Sequence, residues 1–506
     1  MPKRKPSQRR NREKTSQQPR NRFTDRPEPD LRPEPRGEKT SQQPRDRLAE
    51  IRAEIQDVQQ QIETKRRGRV IRTAEDFKSM ERAIAALTNR LSALLMAEAT
   101  QAALDDSENR RQARSLVQGA GHTTKDQGRR DVTLRTTCGQ VIVRATYFSR
   151  NCDRSKAGKG MYPMLLLWGV QDRCTAALVS EISKLVAMLG SLEEVEQVLS
   201  DRGQPLDFKT IRTIAYRFAT RARAAQRVGN LNWGETVAGR RVVVSTDGGR
   251  IRIRTTKRGP KTAKGRNRYR TDWREPKLLI IYVVDEKGQM DREFLAVIDG
   301  TLGGPDAIFK LMEFYLRELK ITTADQILFV ADGARWIWNR VGALLRRLGV
   351  KPDQVNELVD FYHAVEHLGK IAALQRRWTA VERQAWIGRQ RRRLLNGGVE
   401  EVQAAIDAVC GSRPGKALKR ERDYFKRNGG KGRMDYARVA SLKLPIGSGA
   451  IESAIRRVVN LRLKGPSIYW HKTSAEAVLL LRSYYKAGRW NHLERQALTT
   501  TTGIAA

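Results

Sequence analysis

A mixed α/β fold, with parallel and antiparallel strands in one sheet and helices on both faces, is what this sequence predicts for its middle. Three observations predict it. Arg241–Asp247 (RVVVSTD), Lys277–Val284 (KLLIIYVV) and Ile327–Asp332 (ILFVAD) are short apolar runs rich in β-branched residues, as in strands buried on both faces. Arg250–Thr256 and Phe294–Asp299 read as further strands, so the strands begin as a meander. From Pro305 onward strands alternate with helices: Pro305–Leu319 and Trp336–Leu348 have helical apolar spacing, and Val355–Phe361 reads as a strand ending at Tyr362-His363. Meander followed by alternation gives a mixed sheet.

The rest of the chain divides by composition. Residues 1–47 are rich in Arg, Pro, Gln and Ser, with EKTSQQPR at 13–20 and 38–45 and RPEP at 26–29 and 32–35. Such a segment buries too little apolar surface to offset the entropy of ordering and reads as a disordered basic tail. In 48–105, Leu48, Ile51, Ile55, Val58 and Ile62, then Phe77, Met80, Ile84, Leu87, Leu91 and Leu94, keep a 3-4 spacing broken around Arg66–Gly68. That is a heptad seam, either a helical hairpin or a coiled coil with another chain. Residues 106–235 hold a β-hairpin around Cys138-Gly139 within 131–148 and then helices over 172–225. Leu192, Val195 and Leu199 share a stripe, Asp201–Gly203 ends that helix, and Asp207 caps the next, which turns Phe208, Ile211, Ile214, Ala215 and Phe218 inward. Its Lys209, Arg212, Arg217 and Arg221 face elsewhere, as in a helix-turn-helix that reads DNA or in a plain helical scaffold.

Charge narrows the partners. The 506 residues carry 97 Lys+Arg and 56 Asp+Glu, a net +41. Charge of this size speaks for polyanions, above all nucleic acid; a passive RNA-binding scaffold is the plain alternative. Hydrophobic residues make up 39% and there are nine Trp, enough for a core. None of the four cysteines, Cys138, Cys152, Cys174 and Cys410, forms a C-x2-C pair, which argues against a disulfide framework or a zinc ribbon and fits a reducing cytoplasm. Runs such as Met164–Trp168 and Val478–Leu481 fall far short of the roughly 20 apolar residues that span a bilayer, and Met1-Pro-Lys-Arg-Lys lacks the apolar stretch of a secretory signal.

The informative residues are acids at strand ends. Asp247 follows Val242–Val244 and precedes Gly248-Gly249; Asp332 follows Leu328–Val330 and precedes Gly333. One Asp-Gly is a turn. Two at matched strand ends would, on neighbouring strands, stand within a few ångströms, where one takes up a proton unless a cation intervenes. Mg²⁺ (or Mn²⁺) is the usual remedy, and two such ions about 3.5–4 Å apart clamp both reacting oxygens of a phosphodiester. Glu452, in a first helical turn after Ser448-Gly449, is a third acid, followed by Arg456, Arg457, Arg462 and Lys464 where phosphates could be met. Asp299, Asp272 and Asp285 are possible substitutes. Trp336, Trp338 and Trp470 could stack on bases, although the apolar neighbours of the first two suit a core.

Four runs then carry a resemblance: Asp360-Phe-Tyr-His363-Ala-Val-Glu-His-Leu, Phe329-Val-Ala-Asp332-Gly-Ala-Arg335-Trp-Ile-Trp338, Ile446-Gly-Ser-Gly-Ala-Ile-Glu452-Ser, and Ala477-Val-Leu-Leu-Leu-Arg-Ser with Lys486-Ala-Gly-Arg-Trp490. Together they resemble the DDE transposases of the ISKra insertion-sequence family, and Asp-x-x-His at 360–363 resembles the C/D-x-x-H signature of the wider Mutator-like group. The likeness covers roughly 240–492, and more weakly 131–225. It implies an RNase H-like catalytic core in two parts, 236–363 and 441–492, around a basic helical insertion at 364–440, with a tail at 493–506. It implies that Asp247, Asp332 and Glu452 hold two Mg²⁺ ions, and that Asp360 and His363 support them or touch the DNA end. Asp360 and His363 could equally be buried groups satisfied by neighbours. It also implies double-stranded DNA partners (transposon ends and target), a homodimer or larger assembly, and a bacterial, nucleoid-associated place in the cytoplasm. The chain departs from its relatives after Tyr147-Phe148, where a Cys-x-x-Cys element is reduced to Cys152 alone, so the resemblance supplies no zinc site there.

The expected activity is therefore DNA cleavage and strand transfer, with no covalent protein–DNA intermediate. The rivals are an RNase H-like nuclease that does not join strands and a non-catalytic DNA-binding protein derived from a transposase.

Overall fold

The computed structural model describes residues 46–67, 70–119, 124–150, 160–229, 233–263 and 265–499. Most of the basic tail and the Cys152 segment lie outside them. α1 (Arg47–Arg66) and α2 (Ala74–Asp105) fold back on each other as a hairpin. Ile51, Ile55 and Val58 are buried in it, and Arg52 pairs with Glu98 at 2.7 Å. Along the α2 seam Leu94 is buried, while Phe77, near the turn, is 53% exposed. After α3 (Ser107–Gly119), β1 (Thr124–Thr136) and β2 (Gly139–Arg150) form the hairpin expected around Cys138-Gly139, with longer strands. Buried Gln101 ties α2 to it, accepting the Arg144 N–H at 2.8 Å.

α4 (Pro163–Leu167), α5 (Ala176–Met188), α6 (Leu192–Asp201) and α7 (Phe208–Val228) follow. The Asp207 carboxylate caps α7 by accepting from the Lys209 and Thr210 N–H groups. Ile211, Ile214, Ala215 and Phe218 are buried as expected. Phe208 is not: at the first position of the helix it is 39% exposed.

The core sheet contains β3 (Arg241–Gly248), β6 (Lys277–Val284), β7 (Val297–Thr301), β8 (Gln326–Ala331) and β9 (Val355–Val359). Its order is β7-β6-β3-β8-β9, antiparallel from β7 to β3 and parallel from β3 to β9. All eight β6 residues are buried, which requires cover on both faces. α8 (Pro305–Glu318) and α9 (Arg335–Leu348) supply the alternation.

Two expectations are corrected. Arg250–Thr256 leaves the meander: β4 (Ile251–Thr256) pairs with β5 (Tyr269–Arg274) in a ribbon separate from the central sheet. Only Ile251 and Ile253 are buried along β4, so it has one apolar face where the central sheet needs two. The last strand stops at Val359, because the Asp360 side chain caps α10 (Phe361–Ala373) and draws Phe361 into it. Helices continue through α11 (Ala380–Leu395), α12 (Val399–Cys410), α13 (Lys416–Gly429) and α14 (Tyr436–Ser441). α15 (Gly449–Ile455) runs on through one π-helical turn, Arg456–Asn460, and is followed by α16 (Lys472–Lys486). The first half of the expected tail, 493–499, belongs to α17 (Trp490–Thr499), with Leu493 and Ala497 buried and Trp490 stacked on Phe218.

A buried polar network joins α7, β7, α8 and α16. Arg223 grips Asp299 at 2.6 and 3.0 Å, Tyr315 donates to the same carboxylate, and Gln226 donates to Tyr315 and Tyr484 at 2.8 Å each. Asp299 has no exposed surface, so it is committed to structure rather than to a metal. Arg223→Met leaves that carboxylate buried without its cation and is expected to cost about 3–5 kcal/mol in a denaturant titration.

Candidate active site

Register assembles the site. β3 and β8 pair in parallel from Arg241↔Gln326 to Val244↔Phe329, a constant offset of 85 (326 − 241), and the same offset sets Asp247 level with Asp332. β8 and β9 pair up to Ala331↔Val359, so Asp332 is level with Asp360. Three acids therefore end three adjacent parallel strands, with about 4.8 Å between neighbouring strands.

Their surroundings differ. Asp247 accepts the Gly248 N–H at 2.6 Å. Burial, with repulsion from Asp332, pushes its carboxyl up to about 6, against the Gly248 hydrogen bond and the charges of His363 and Lys277. Asp332 is half-buried, and its Oδ1 accepts the Ala334 N–H at 3.0 Å. Its backbone carbonyl takes the Trp338 indole N–H at 2.7 Å, which pins the strand end. Asp360 is fully buried; one oxygen caps α10 through the His363 N–H at 2.9 Å and the other accepts the Ser448 N–H. Ser448 is the residue before α15, so Asp360 fixes where the Glu452 helix begins. Having no exposed surface, it offers nothing to a DNA end.

Glu452 lies in the first turn of α15, which packs on β3 and β6, and its side chain is 56% exposed. His363 Nε2 stands 3.8 Å from Glu452 Oε1, and its Nδ1 is 3.6 Å from Glu366. His363 thus stands between the Glu452 and Glu366 side chains.

The glycines beside the acids make room rather than turns. None of Gly248, Gly249 and Gly333 has a left-handed φ. A Cβ on Gly249 would meet Val459 at 3.0 Å, and one on Gly333 would overlap the Tyr424 ring.

Several neighbours carry no motif in the sequence. Lys277, 5% exposed, holds its ammonium 4.0 Å from the centre of the Trp336 ring and 2.7 Å from Glu275. From α13, Tyr424 stacks on His367 at 3.7 Å. Its buried hydroxyl has no hydrogen-bond partner among the described residues. Burial, then the negative charges of Asp332 and Asp360, drives its ionisation far above the usual range, so it stays an O–H donor. A cleft of about 780 Å³ opens from Asp332 and His363 between α10 and α13, and Arg335, Lys370, Lys419 and Arg427 are among the cations lining it.

The other expected contacts divide. Arg335, Arg456, Lys464, Lys209 and Arg212 are exposed. Arg217 is paired with Asp172 at 2.6 Å, and Arg221 is half-buried, its pKa lowered by burial. Arg457 is half-buried over the Ser453 carbonyl. Arg462 is corrected: it is 7% exposed, with its guanidinium 5.2 Å from the Trp470 ring, and is no free surface cation. α7 packs among α5, α16 and α17, so its cations stand on an element built into the body. The tryptophans are occupied: Trp338 is buried under Arg433, Trp336 lies under Lys277, and Trp470 donates to the Leu463 carbonyl. Asp272 sits on the ribbon beside Thr255, and Asp285 caps a turn at the far end of β6.

Among the described residues no three His, Cys, Asp or Glu side chains form a ready-made metal cage. The donor set nonetheless suits Mg²⁺, which binds through one or two carboxylates and completes its shell with water and phosphate oxygens. Asp247 and Asp332 each keep one oxygen without a protein partner among the described residues. No helix among the described residues is long and apolar enough to cross a membrane. No protein-family model matches the chain, and no curated protein matches it.

The raised Asp247 carboxyl has a consequence for stability. The folded protein holds this proton more tightly than the unfolded chain, so stability falls as pH rises from the ordinary 3.8 through about 6. Asp247→Asn is expected to raise the Tm of metal-free protein at about pH 7.5 by roughly 1–3 °C. The gap closes as pH falls through this window, and Mg²⁺ raises the Tm of wild type more than that of the variant.

Proposed function

We propose that the chain is a DNA transposase of the DDE type, with Asp247, Asp332 and Glu452 as its metal-holding acids. The observation that carries this reading is that Asp247 and Asp332 follow the paired stretches of parallel β3 and β8 at the same offset of 85, with α15, which carries Glu452, packed on β3. The sheet, an antiparallel meander continued by two parallel strands, supports an RNase H-like core, and the helices of 364–440 fall where the resemblance implies an insertion. The net charge of +41 and the cationic cleft beside Asp332 support DNA as the substrate.

When bound, divalent ions lower the pKa of the attacking hydroxyl and stabilise the leaving oxygen. The protein's residues do the rest. Asp247, Asp332 and Glu452 supply hard oxygen donors. Asp360 holds the start of α15, and so Glu452, in place through Ser448. Arg335, Lys419 and Arg427 neutralise backbone phosphates in the cleft, and the Tyr424 O–H offers a donor beside Asp332. Water attacks the phosphodiester at the element end and frees a 3′-OH; that hydroxyl then attacks target DNA and displaces a 3′ oxygen there. Strand joining separates this reading from a nuclease. Two element ends joined to one target call for at least two copies of the chain.

The test is cleavage of a labelled duplex carrying the terminal repeat that flanks the gene, in Mg²⁺ and in EDTA. Wild type is expected to nick at the repeat end only with Mg²⁺ and to join that end to a second duplex. Asp332→Ala should keep duplex binding and lose more than about 100-fold in cleavage, since even groups that only support a metal ligand are worth 10–100-fold. Equal cleavage by Asp332→Ala overturns the assignment.

A further inference from the structure

The β4–β5 ribbon is a strongly charged surface that the active-site reading leaves unused. Residues 250–274 carry eleven Lys and Arg against one acid, Asp272. β4 and β5 pair over six rungs, from Ile251↔Arg274 to Thr256↔Tyr269. Past the last rung the Lys257 N–H donates to the Arg268 carbonyl at 2.8 Å, and the Thr262 N–H to the Arg266 carbonyl at 2.8 Å. The arm is therefore hydrogen-bonded as far as Thr262 and Arg266, and its described residues from Thr255 to Glu275 are exposed apart from half-buried Asp272.

Its root ties it to the acids. Gly249 and Arg250 alone separate β3, which carries Asp247, from β4. On the other side the Arg254 N–H donates to the Trp470 carbonyl at 2.9 Å and the Trp470 N–H to the Arg252 carbonyl at 3.0 Å. Trp470 lies on the segment that leaves the Glu452 helix. An object held by the ribbon is thus held by the two elements that deliver Asp247 and Glu452.

Its side chains are preset. The Arg250 guanidinium stands 5.2 Å from the Trp273 ring, Arg252 4.6 Å from Tyr469, and Arg254 5.6 Å from Tyr269. Guanidiniums held on aromatic faces lose less rotamer freedom on binding. Trp273 and Tyr269 are themselves 52% and 47% exposed.

Shape and charge select the partner. Two strands about 4.8 Å apart fit a major groove about 12 Å wide, which admits a two-stranded ribbon. Six rungs span about 20 Å, a length over which a duplex presents about twelve phosphates. A second copy of this chain, at net +41, would bring like charge to the same surface. We propose that the β4–β5 ribbon is a DNA-binding arm that lies in a groove of the duplex and holds it at Asp247 and Glu452. This rests on the reading of the active site as one that works on DNA.

The test uses the full chain and a fluorescein-labelled duplex of about 40 base pairs, with affinity measured by anisotropy across a salt series. The variant is Lys257→Gln, Arg258→Gln, Lys261→Gln and Arg266→Gln together, all at exposed positions, so an unchanged melting curve is expected. Four lost phosphate contacts should lower the slope of log affinity against log salt by about 3.6 and weaken binding at least tenfold near 0.1 M salt. A variant that binds as wild type does, in a protein whose wild type still cleaves with Mg²⁺, overturns the arm and leaves the transposase reading standing. A variant that loses affinity when wild type shows no Mg²⁺-dependent cleavage supports the arm and removes the reading of the acids. Loss of self-association by sedimentation, with duplex affinity intact, overturns the arm in favour of a protein interface.

Discussion

Parallel pairing of β3 with β8 is the constraint on which the rest depends. With the register fixed at Arg241↔Gln326, Asp247 and Asp332 end level with each other, and two carboxylates are forced together on adjacent strands. A one-residue slip would turn every side chain of a strand to the opposite face. It would bury an acid in the sheet and expose a valine. The buried runs Val242–Val244 and Ile327–Val330 make that slip costly, so the hydrophobic core itself enforces the electrostatic strain at its edge. The raised Asp247 carboxyl expresses this strain, which a bound cation would relieve.

Around this pair the chain uses long-range backbone contacts rather than more charges. The Asp360 carboxylate reaches across 88 residues to the Ser448 N–H, and the Phe361 N–H donates to the Ile446 carbonyl at 3.0 Å. The long excursion through α10–α14 is therefore closed at its base, and α15 returns to the sheet at a defined place. This excursion is also part of the site wall, because α13 places Tyr424 against Gly333 and cations opposite Asp332.

Much of the core was legible because its signals are local. Asp247 and Asp332 each follow an apolar run and precede glycine, and their spacing of 85 equals the strand register. Glu452 was readable only through its motif, since an acid in a first helical turn is ordinary helix chemistry. What stayed hidden depends on distant partners. The bond from Asp360 to Ser448 leaves no local trace, and neither does the orphan hydroxyl of Tyr424 within a basic helix. Arg462 reads as a surface cation until Trp470 folds over it. β5, with its run Tyr269–Arg274, lacks the apolar alternation by which a strand is recognised, because most of the ribbon faces solvent. The glycines misled in a particular way: they read as turn formers, whereas Gly249 and Gly333 serve close approach by Val459 and Tyr424.

On this reading the ends of β3 and β8, with α15 packed on β3, hold a divalent cation. Fe²⁺-directed hydroxyl-radical cleavage of the polypeptide tests it most directly, because the backbone is cut only near the bound ion. Cuts are expected close to Asp247, Asp332 and Glu452, suppressed together by Mg²⁺ and absent in Asp332→Ala. Cuts that fall elsewhere, or that persist at these positions in Asp332→Ala, would contradict it.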